Sequence, residues 1–339
     1  MSWYIITNDE NSGQPATRYL SGFSGSTSVL LFEKHTDESY GHAYLLLDSR
    51  YWEWESALMS ANVRLRPLSI IRVSRQYTTK QAIETIVERH SITSCVVDST
   101  ITSHARVISL KKYFSEIVAQ ENIFEQWRTI KTVQEQEYIH EAIRIADEAF
   151  EKVKPYIRVG VAESEIAARL EYEMKMRGAE KESFNTIVAS GPHSASPHAV
   201  TTERKIQSDD SVIIDFGCFY EGYASDLTKT ILMPEAPPTM RKIYEIVQRA
   251  HDASVSAIAP GVQASSIDSI ARDIITDAGY GEAFMHSTGH GVGMSVHESP
   301  HIGFSSKDVL ASGHVITIEP GIYVSGLGGV RIETTEFVR

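Results

Sequence analysis

Apolar and polar positions follow two rhythms along this chain. Apolar runs at residues 28–32, 43–47 and 94–97 have the length of strands, while residues 78–89 and 103–114 carry helical spacing. Strands and helices interleaved in this way predict a small α/β layer domain over residues 1–122. Across residues 126–131 the chain enters a second domain, residues 123–339. Thr132 with Glu135 three residues later forms a capping box. Ile139, Ala142, Ile143, Ala146 and Phe150 then recur at helical intervals, so a long amphipathic helix is predicted to start there. A shorter helix over 163–177 is closed by Gly178, and a strand is predicted over 185–189. Pro234-Glu-Ala-Pro-Pro238 links this half to helices at 239–258 and 265–278, punctuated by Pro260-Gly261 and Gly279. The order of long helix, shorter helix and strands thus occurs twice.

The strand signal ends, in both halves, on an acid. Val212, Ile213 and Ile214 form an apolar run that stops at Asp215, and the chain reaches Asp226 through Tyr220-Glu221-Gly222-Tyr223. Downstream, HVITIEPGIYVSGLGGVRIETTEF repeats the pattern. Setting Asp215 over Glu319 places Ile214 over Ile318, Gly217 over Gly321 and Phe219 over Tyr323; past the turn, Asp226 falls over Glu333 and Thr228 over Thr335. A duplication of this kind predicts two similar α/β halves facing each other, with four carboxylates converging between them.

Four carboxylates in one place repel each other and take up protons unless a cation is present. The remaining candidate ligand is His290, in a stretch dense in histidine and glycine from His286 to His301. Oxygen-rich ligation with one imidazole suits Mn²⁺, Fe²⁺, Co²⁺ or Zn²⁺, and a pair of such ions is the two-metal route to hydrolysis. Gly289, Gly291 and Gly293 superficially match a dinucleotide fingerprint, but no amphipathic helix follows them; beside a metal-binding histidine they are expected to let the backbone approach ligand and substrate. The turn at residues 21–26 lacks the Lys-Ser/Thr ending of a phosphate loop and reads as structural.

Composition narrows the partners. The chain has 339 residues, 44 acidic against 32 basic side chains and a net charge of −12, which disfavours nucleic-acid binding through phosphate attraction. Cys95 and Cys218, the two cysteines, are too few for a disulfide framework and are expected to pack, which points to a reducing compartment. The chain has no apolar run near the roughly 18 residues that span a bilayer, and residues 1–6 lack the start of a signal peptide. A cytoplasmic protein without membrane contact is the expectation.

The motifs DFG…SD…T, GHGVG…VHE, ITIEPG and VRIE, in this order and spacing, resemble the pita-bread metallopeptidases, in the branch that holds prolidase and aminopeptidase P. YLSGFSGSTSVLLF and LLLDSRY resemble the N-terminal, creatinase-like domain of that branch, so the resemblance is nearly full-length. It implies an α/β (α+β) fold: a small N-terminal α/β domain followed by a pita-bread catalytic domain of pseudo-twofold halves. It also implies two divalent metal ions, Mn²⁺ first among them, on Asp215, Asp226, His290, Glu319 and Glu333. The activity implied is cleavage between an N-terminal residue and a following proline in a peptide substrate, with Glu319 shuttling a proton. A homodimer is implied as well, with the N-terminal domain supporting its contacts.

By the same resemblance, His198 after Pro197 and His297, seven residues beyond His290, hydrogen-bond substrate near the metals. Arg331 shares a strand face with Glu333 and is expected to orient a ligand or substrate. Thr228 and Thr335 are expected to hydrogen-bond ligating carboxylates, Tyr223 to contribute to the pocket, and His286 to pack or bond to the backbone. His301 stands where some archaeal-type prolidases carry an arginine able to hold a dipeptide's carboxylate, which leaves dipeptide preference open. The chain stops at Arg339, earlier than the resemblance leads one to expect, so a short or missing last strand is anticipated. A methionine aminopeptidase fits poorly because of the N-terminal domain. Creatinase-like amidinohydrolases and non-catalytic binding modules of this fold fit poorly because the acid set is intact; a peptidase of this fold without proline preference stays open.

Overall fold

The structure is a computed structural model that describes residues 2–9, 14–36, 39–60 and 63–339; Met1, part of the amino-terminal stretch read above, lies outside them. The chain divides into two compact units, Met1–Arg128 and Thr129–Arg339.

The first unit is built on a six-stranded sheet. In chain order its elements are β1 (Ser2–Asn8), α1 (Gln14–Ser21), β2 (Ser28–Lys34), β3 (Tyr40–Leu47), α2 (Glu55–Ser60), β4 (Leu68–Arg72), α3 (Thr79–His90), β5 (Ser94–Asp98), α4 (His104–Leu110), β6 (Glu116–Gln120) and α5 (Ile123–Gln126). The sheet order is β4-β3-β2-β1-β5-β6, with β1, β2 and β3 antiparallel and parallel neighbours outside them. Ala82, Ile83 and Ile86 of α3 pack on Ile5, Leu31, Leu46 and Val97 of the sheet. Ser103 caps α4 by accepting from the Arg106 amide at 3.3 Å; the helix ends at Leu110, short of the 114 predicted.

The second unit repeats one plan. Its first half runs α6 (Val133–Val153), α7 (Glu163–Met176), β7 (Lys181–Glu182), β8 (Ile187–Ser190), β9 (Ser211–Phe216), β10 (Cys218–Tyr220), β11 (Tyr223–Ala224) and β12 (Leu227–Leu232). The second half runs α8 (Pro238–Ser256), α9 (Ala264–Asp277), β13 (Gly289–Gly291), β14 (Glu298–Ile302), β15 (Val315–Ile318), β16 (Gly321–Val324), β17 (Gly328–Arg331) and β18 (Thr334–Phe337). The capping box forms as predicted: Thr132 accepts from the Glu135 amide at 3.3 Å, and Glu135 Oε2 accepts the Thr132 amide at 2.7 Å. Ile139, Ala142, Ala146 and Phe150 lie in the core with Ile145 and Ala149, while Ile143 is only partly buried against it.

Each half carries an antiparallel sheet, β12-β9-β8 and β14-β13-β15-β18. The apolar run at residues 212–214 is wholly inside, with Val212 and Ile214 in one cluster with Phe150 of α6 and Leu170 of α7. Cys218 packs in the same core with its Sγ 3.4 Å from the Ala142 carbonyl, and burial pushes its thiol up to about 11. The two sheets meet at an antiparallel bridge between Thr228 and Glu333. Their registers differ: Thr228 lies opposite Asp215, whereas Thr335 lies opposite Thr317, two residues before Glu319.

Candidate metal centre

The acids that close the hairpins come together across that bridge. Asp215 is the penultimate residue of β9, Asp226 precedes β12, Glu319 follows β15 and Glu333 lies just beyond β17. Carboxylate oxygens of Asp215, Asp226 and Glu333 lie within 4.8 Å of one another, and so do ligand atoms of His290, Glu319 and Glu333. His290 Nε2 lies 3.6 Å from Asp226 Oδ2 and 3.5 Å from Glu319 Oε1. His297 forms a further such group with Asp226 and His290, its ring centroid 4.3 Å from that of His290.

These distances leave the groups short of partners. Burial raises the carboxyls of Asp226 and Glu333 well above their ordinary range, and the neighbouring acids raise them further. Glu319 is pushed up to about 8, again by burial first, with Arg331 opposing and Asp215 adding to the rise. Asp215 Oδ1 is buried without a hydrogen-bond partner. His290 Nδ1 lies 3.0 Å from the Gly291 carbonyl, which accepts only, so Nδ1 carries the proton and Nε2 a lone pair. Burial holds this imidazole down at about 4. A lone pair facing two carboxylates, beside an unpartnered carboxylate oxygen, is the donor set of a cation site. The residues fit one or two divalent ions.

Several flanking side chains hold this arrangement. Arg331, 3 % exposed, extends one guanidinium nitrogen to Asp215 Oδ2; its Nε donates to Thr228 Oγ1 at 3.1 Å and its Nη1 to the Tyr323 hydroxyl at 2.9 Å. Thr228 Oγ1 in turn donates to Glu333 Oε2 at 2.6 Å. Thr335 does not mirror it, because the register of β15 and β18 is offset; its hydroxyl donates to the main-chain carbonyl of Asp226 at 2.7 Å. Tyr223 is also turned elsewhere, donating to Glu135 Oε1 at 2.8 Å. Asp268 on α9 accepts the amide and hydroxyl of Thr288 at 3.1 and 2.9 Å, and the Thr288 carbonyl accepts the Glu319 amide at 2.7 Å.

A cavity of about 580 Å³ opens onto these groups. Besides Asp215, Asp226, His290, Glu319, Arg331 and Glu333, it is lined by His198, His286, His297, Ser287, the residues 184–187 and 197–201. His198 and His297 are exposed. His286 bonds to the Ser287 carbonyl at 2.8 Å, as expected of it, and also to the Tyr323 hydroxyl at 2.9 Å. Tyr323, 4 % exposed, was matched in sequence only as an aromatic over Phe219; the hydroxyl that Phe219 lacks was the signal. His301 pairs with His290 across β13 and β14, and its amide donates to Asp308 Oδ2 at 2.8 Å.

The glycines around His290 serve the protein's own chain. A Cβ at Gly289 would stand 1.9 Å from the Thr317 carbonyl, and one at Gly291 would stand 2.2 Å from that of Ser299. They are there for strand packing, so the close approach predicted for ligand and substrate is here made by β15 and β14.

Four carboxylates and an imidazole that could hold divalent ions, meeting between duplicated halves, are the arrangement of a metallopeptidase of the pita-bread fold. Residues 137–339 match metallopeptidase family M24, and the chain belongs to it. Within that family it sits in the branch of prolidase and aminopeptidase P. It is 47 % identical over 228 residues to the Xaa-Pro dipeptidase of Pyrococcus furiosus, covering 67 % of this chain and 66 % of that protein. It superposes on the structure of the Xaa-Pro dipeptidase from Bacillus anthracis with a TM-score of 0.90 at 35 % identity, covering 100 % of this chain and 90 % of that one. The X-Pro aminopeptidase from Thermotoga maritima gives a TM-score of 0.90 at 33 % identity, with 100 % and 93 % covered.

Proposed function

We propose that this chain is a dinuclear metal-dependent exopeptidase that hydrolyses the bond between an N-terminal residue and a following proline. The observation that carries the metal reading is the meeting of Asp215, Asp226, His290, Glu319 and Glu333 with a buried Asp215 Oδ1 left unpartnered. Proline preference rests on the Xaa-Pro specificity named for the similar proteins above. Divalent ions held by these five side chains supply Lewis acidity and an activated water. Mn²⁺ is the ion proposed first, with Co²⁺, Fe²⁺ and Zn²⁺ as alternatives.

The chain's own residues do the rest. Arg331 fixes the position of Asp215, and Thr228 that of Glu333. Glu319 lines the cavity and takes a proton during attack, returning it to the leaving amine. His198 and His297 line the same cavity and donate hydrogen bonds to the scissile carbonyl as negative charge develops on it. Partial burial of the ring lowers the His297 imidazole, with Asp215 opposing. We further propose a homodimer and a cytoplasmic site of action. Among the described residues no helix is long and apolar enough to cross a membrane.

The test is metal-stripped protein reloaded with Mn²⁺ or Co²⁺ and offered Xaa-Pro, Xaa-Pro-Xaa and proline-free peptides. Release of the N-terminal residue from the proline-containing peptides is the expected outcome. Hydrolysis of none of them overturns the proposal, and equal rates on the proline-free set remove its specificity. Predominant cleavage of Xaa-Pro would make the enzyme a dipeptidase despite His301.

A further inference from the structure

One buried carboxylate outside the metal centre joins the two ends of the loop that brings His198 to the cavity, in addition to the bonds that Thr201 makes to Thr186 and Val188 and Ser194 to Gly329. Glu163, the first residue of α7, is wholly buried. Its Oε1 accepts the Ser190 amide at 2.7 Å and the Ser190 hydroxyl at 2.7 Å. Its Oε2 accepts the Thr202 amide at 3.1 Å and the Thr202 hydroxyl at 2.7 Å. His193 Nδ1 lies 3.1 and 3.0 Å from the two oxygens. Ser190 ends β8, immediately before the loop, and Thr202 stands just beyond its last cavity-lining residue, Thr201. A single side chain therefore closes both ends of residues 191–201.

Every partner of this carboxylate is a donor, so it has to accept at both oxygens. Burial alone would raise its pKa, but the hydrogen bonds from Thr202, Ser190 and His193 outweigh that and hold it below the ordinary range. Arg204, whose guanidinium donates to Ser190 Oγ and pairs with Asp210 at 2.6 Å, adds a cation one bond away. Gly191, at φ +52°, leaves room for this pair: a Cβ there would stand 2.0 Å from Asp210 Oδ1. At mid-loop the Pro197 carbonyl accepts from Arg331 Nη1 at 3.1 Å, which ties the loop to the metal centre next to His198.

We infer that Glu163 is a positioning residue that sets the place of His198 and thereby substrate binding, while taking no part in metal binding. This rests on the proposal that His198 contacts substrate. Glu163→Gln keeps the shape of the side chain but sets an NH₂ group against donors, which frees one end of the loop.

The experiment uses the full chain loaded with Mn²⁺ and an Xaa-Pro-Xaa peptide. Glu163→Gln is expected to lower kcat/KM by about 10–100-fold, mostly through KM, with Mn²⁺ content and affinity unchanged. In a His198→Ala background the same substitution should cost less than about threefold, because the two act on one interaction. Amide exchange over residues 191–202 should quicken at least about tenfold while that of β9 stays as it is. Thr202→Val and Ser190→Ala, each removing one hydroxyl donor, should give smaller losses of the same kind, and they carry the test if Glu163→Gln does not fold. Full multiplication of the two losses, loss of Mn²⁺ affinity, or unchanged exchange in the loop would each overturn the inference. If His198→Ala leaves kcat/KM untouched while loop exchange still responds to Glu163→Gln, the role given to His198 fails and the hold on the loop stands.

Discussion

Arg331 ties several parts of the site together, touching Asp215, Thr228, Tyr323 and the Pro197 carbonyl. Its removal leaves a buried carboxylate without its counter-charge, so Arg331→Met is expected to destabilise metal-free protein by about 3–5 kcal/mol. Bound Mn²⁺ should return part of that loss, which urea unfolding with and without metal measures. Glu319 gives a pH test. Its carboxyl is pushed up to about 8 in the fold against about 4.3 in an unfolded chain, so the metal-free fold binds this proton more tightly than the unfolded state does. That stability is fully present below about 4.3 and is lost as pH rises through about 8. Metal-free wild type should therefore lose more melting temperature between pH 5 and 8.5 than Glu319→Gln does. The difference should be at least about 3 °C, given ~2–4 °C per kcal/mol in a domain of this size. The meeting of the acids was legible at this scale because the motif occurs twice. Tyr323 was not, since its partner in the repeat is Phe219, nor was the true contact of Thr335, because a repeat in sequence does not report an offset in strand register.

At the scale of elements, β13 has little room for change. It lies between β14 and β15, and Gly289 leaves no space for a side chain beside the Thr317 carbonyl. Gly289→Ala should cost about 1–3 kcal/mol or more by overpacking and should weaken metal binding with it, since His290 is the next residue. Calorimetry of Mn²⁺ binding alongside thermal unfolding checks both. The helix that opens the first half was readable from its cap at Thr132 and Glu135 and from its spacing, and the one that opens the second, expected over residues 239–258, runs Pro238–Ser256 without a side-chain cap. Strands β1, β4 and β6 were not singled out. In β6 only Ile117 is even partly covered, so its apolar alternation is too weak to stand apart from a loop.

For the whole molecule, the proposed metal site makes stability depend on the ion. Mn²⁺ at 100 times its dissociation constant should raise stability by about 2.7 kcal/mol, and a chelator should reverse the gain; a thermal melt unmoved by either would remove the metal from the account. The sequence places the domains at residues 1–122 and 123–339, with the crossing over residues 126–131, whereas the two compact units are Met1–Arg128 and Thr129–Arg339. How the repeated halves join was beyond the sequence, because the join includes a main-chain bond that no residue type announces: the Glu333 amide donates to the Thr228 carbonyl at 3.1 Å, beside the side-chain bond from the Thr228 hydroxyl to Glu333 Oε2.

That seam has a consequence for any attempt to take the catalytic unit apart. The strand that leads out of the first repeat grips, by backbone and hydroxyl alike, an acid supplied by the second, so neither repeat owns a finished site. A chain severed at the Pro234–Pro238 connection would have to find its other piece and re-knit the sheets before it could chelate anything. Capture of the ion should then report, in a single colour change with Co²⁺, that the two fragments have found each other.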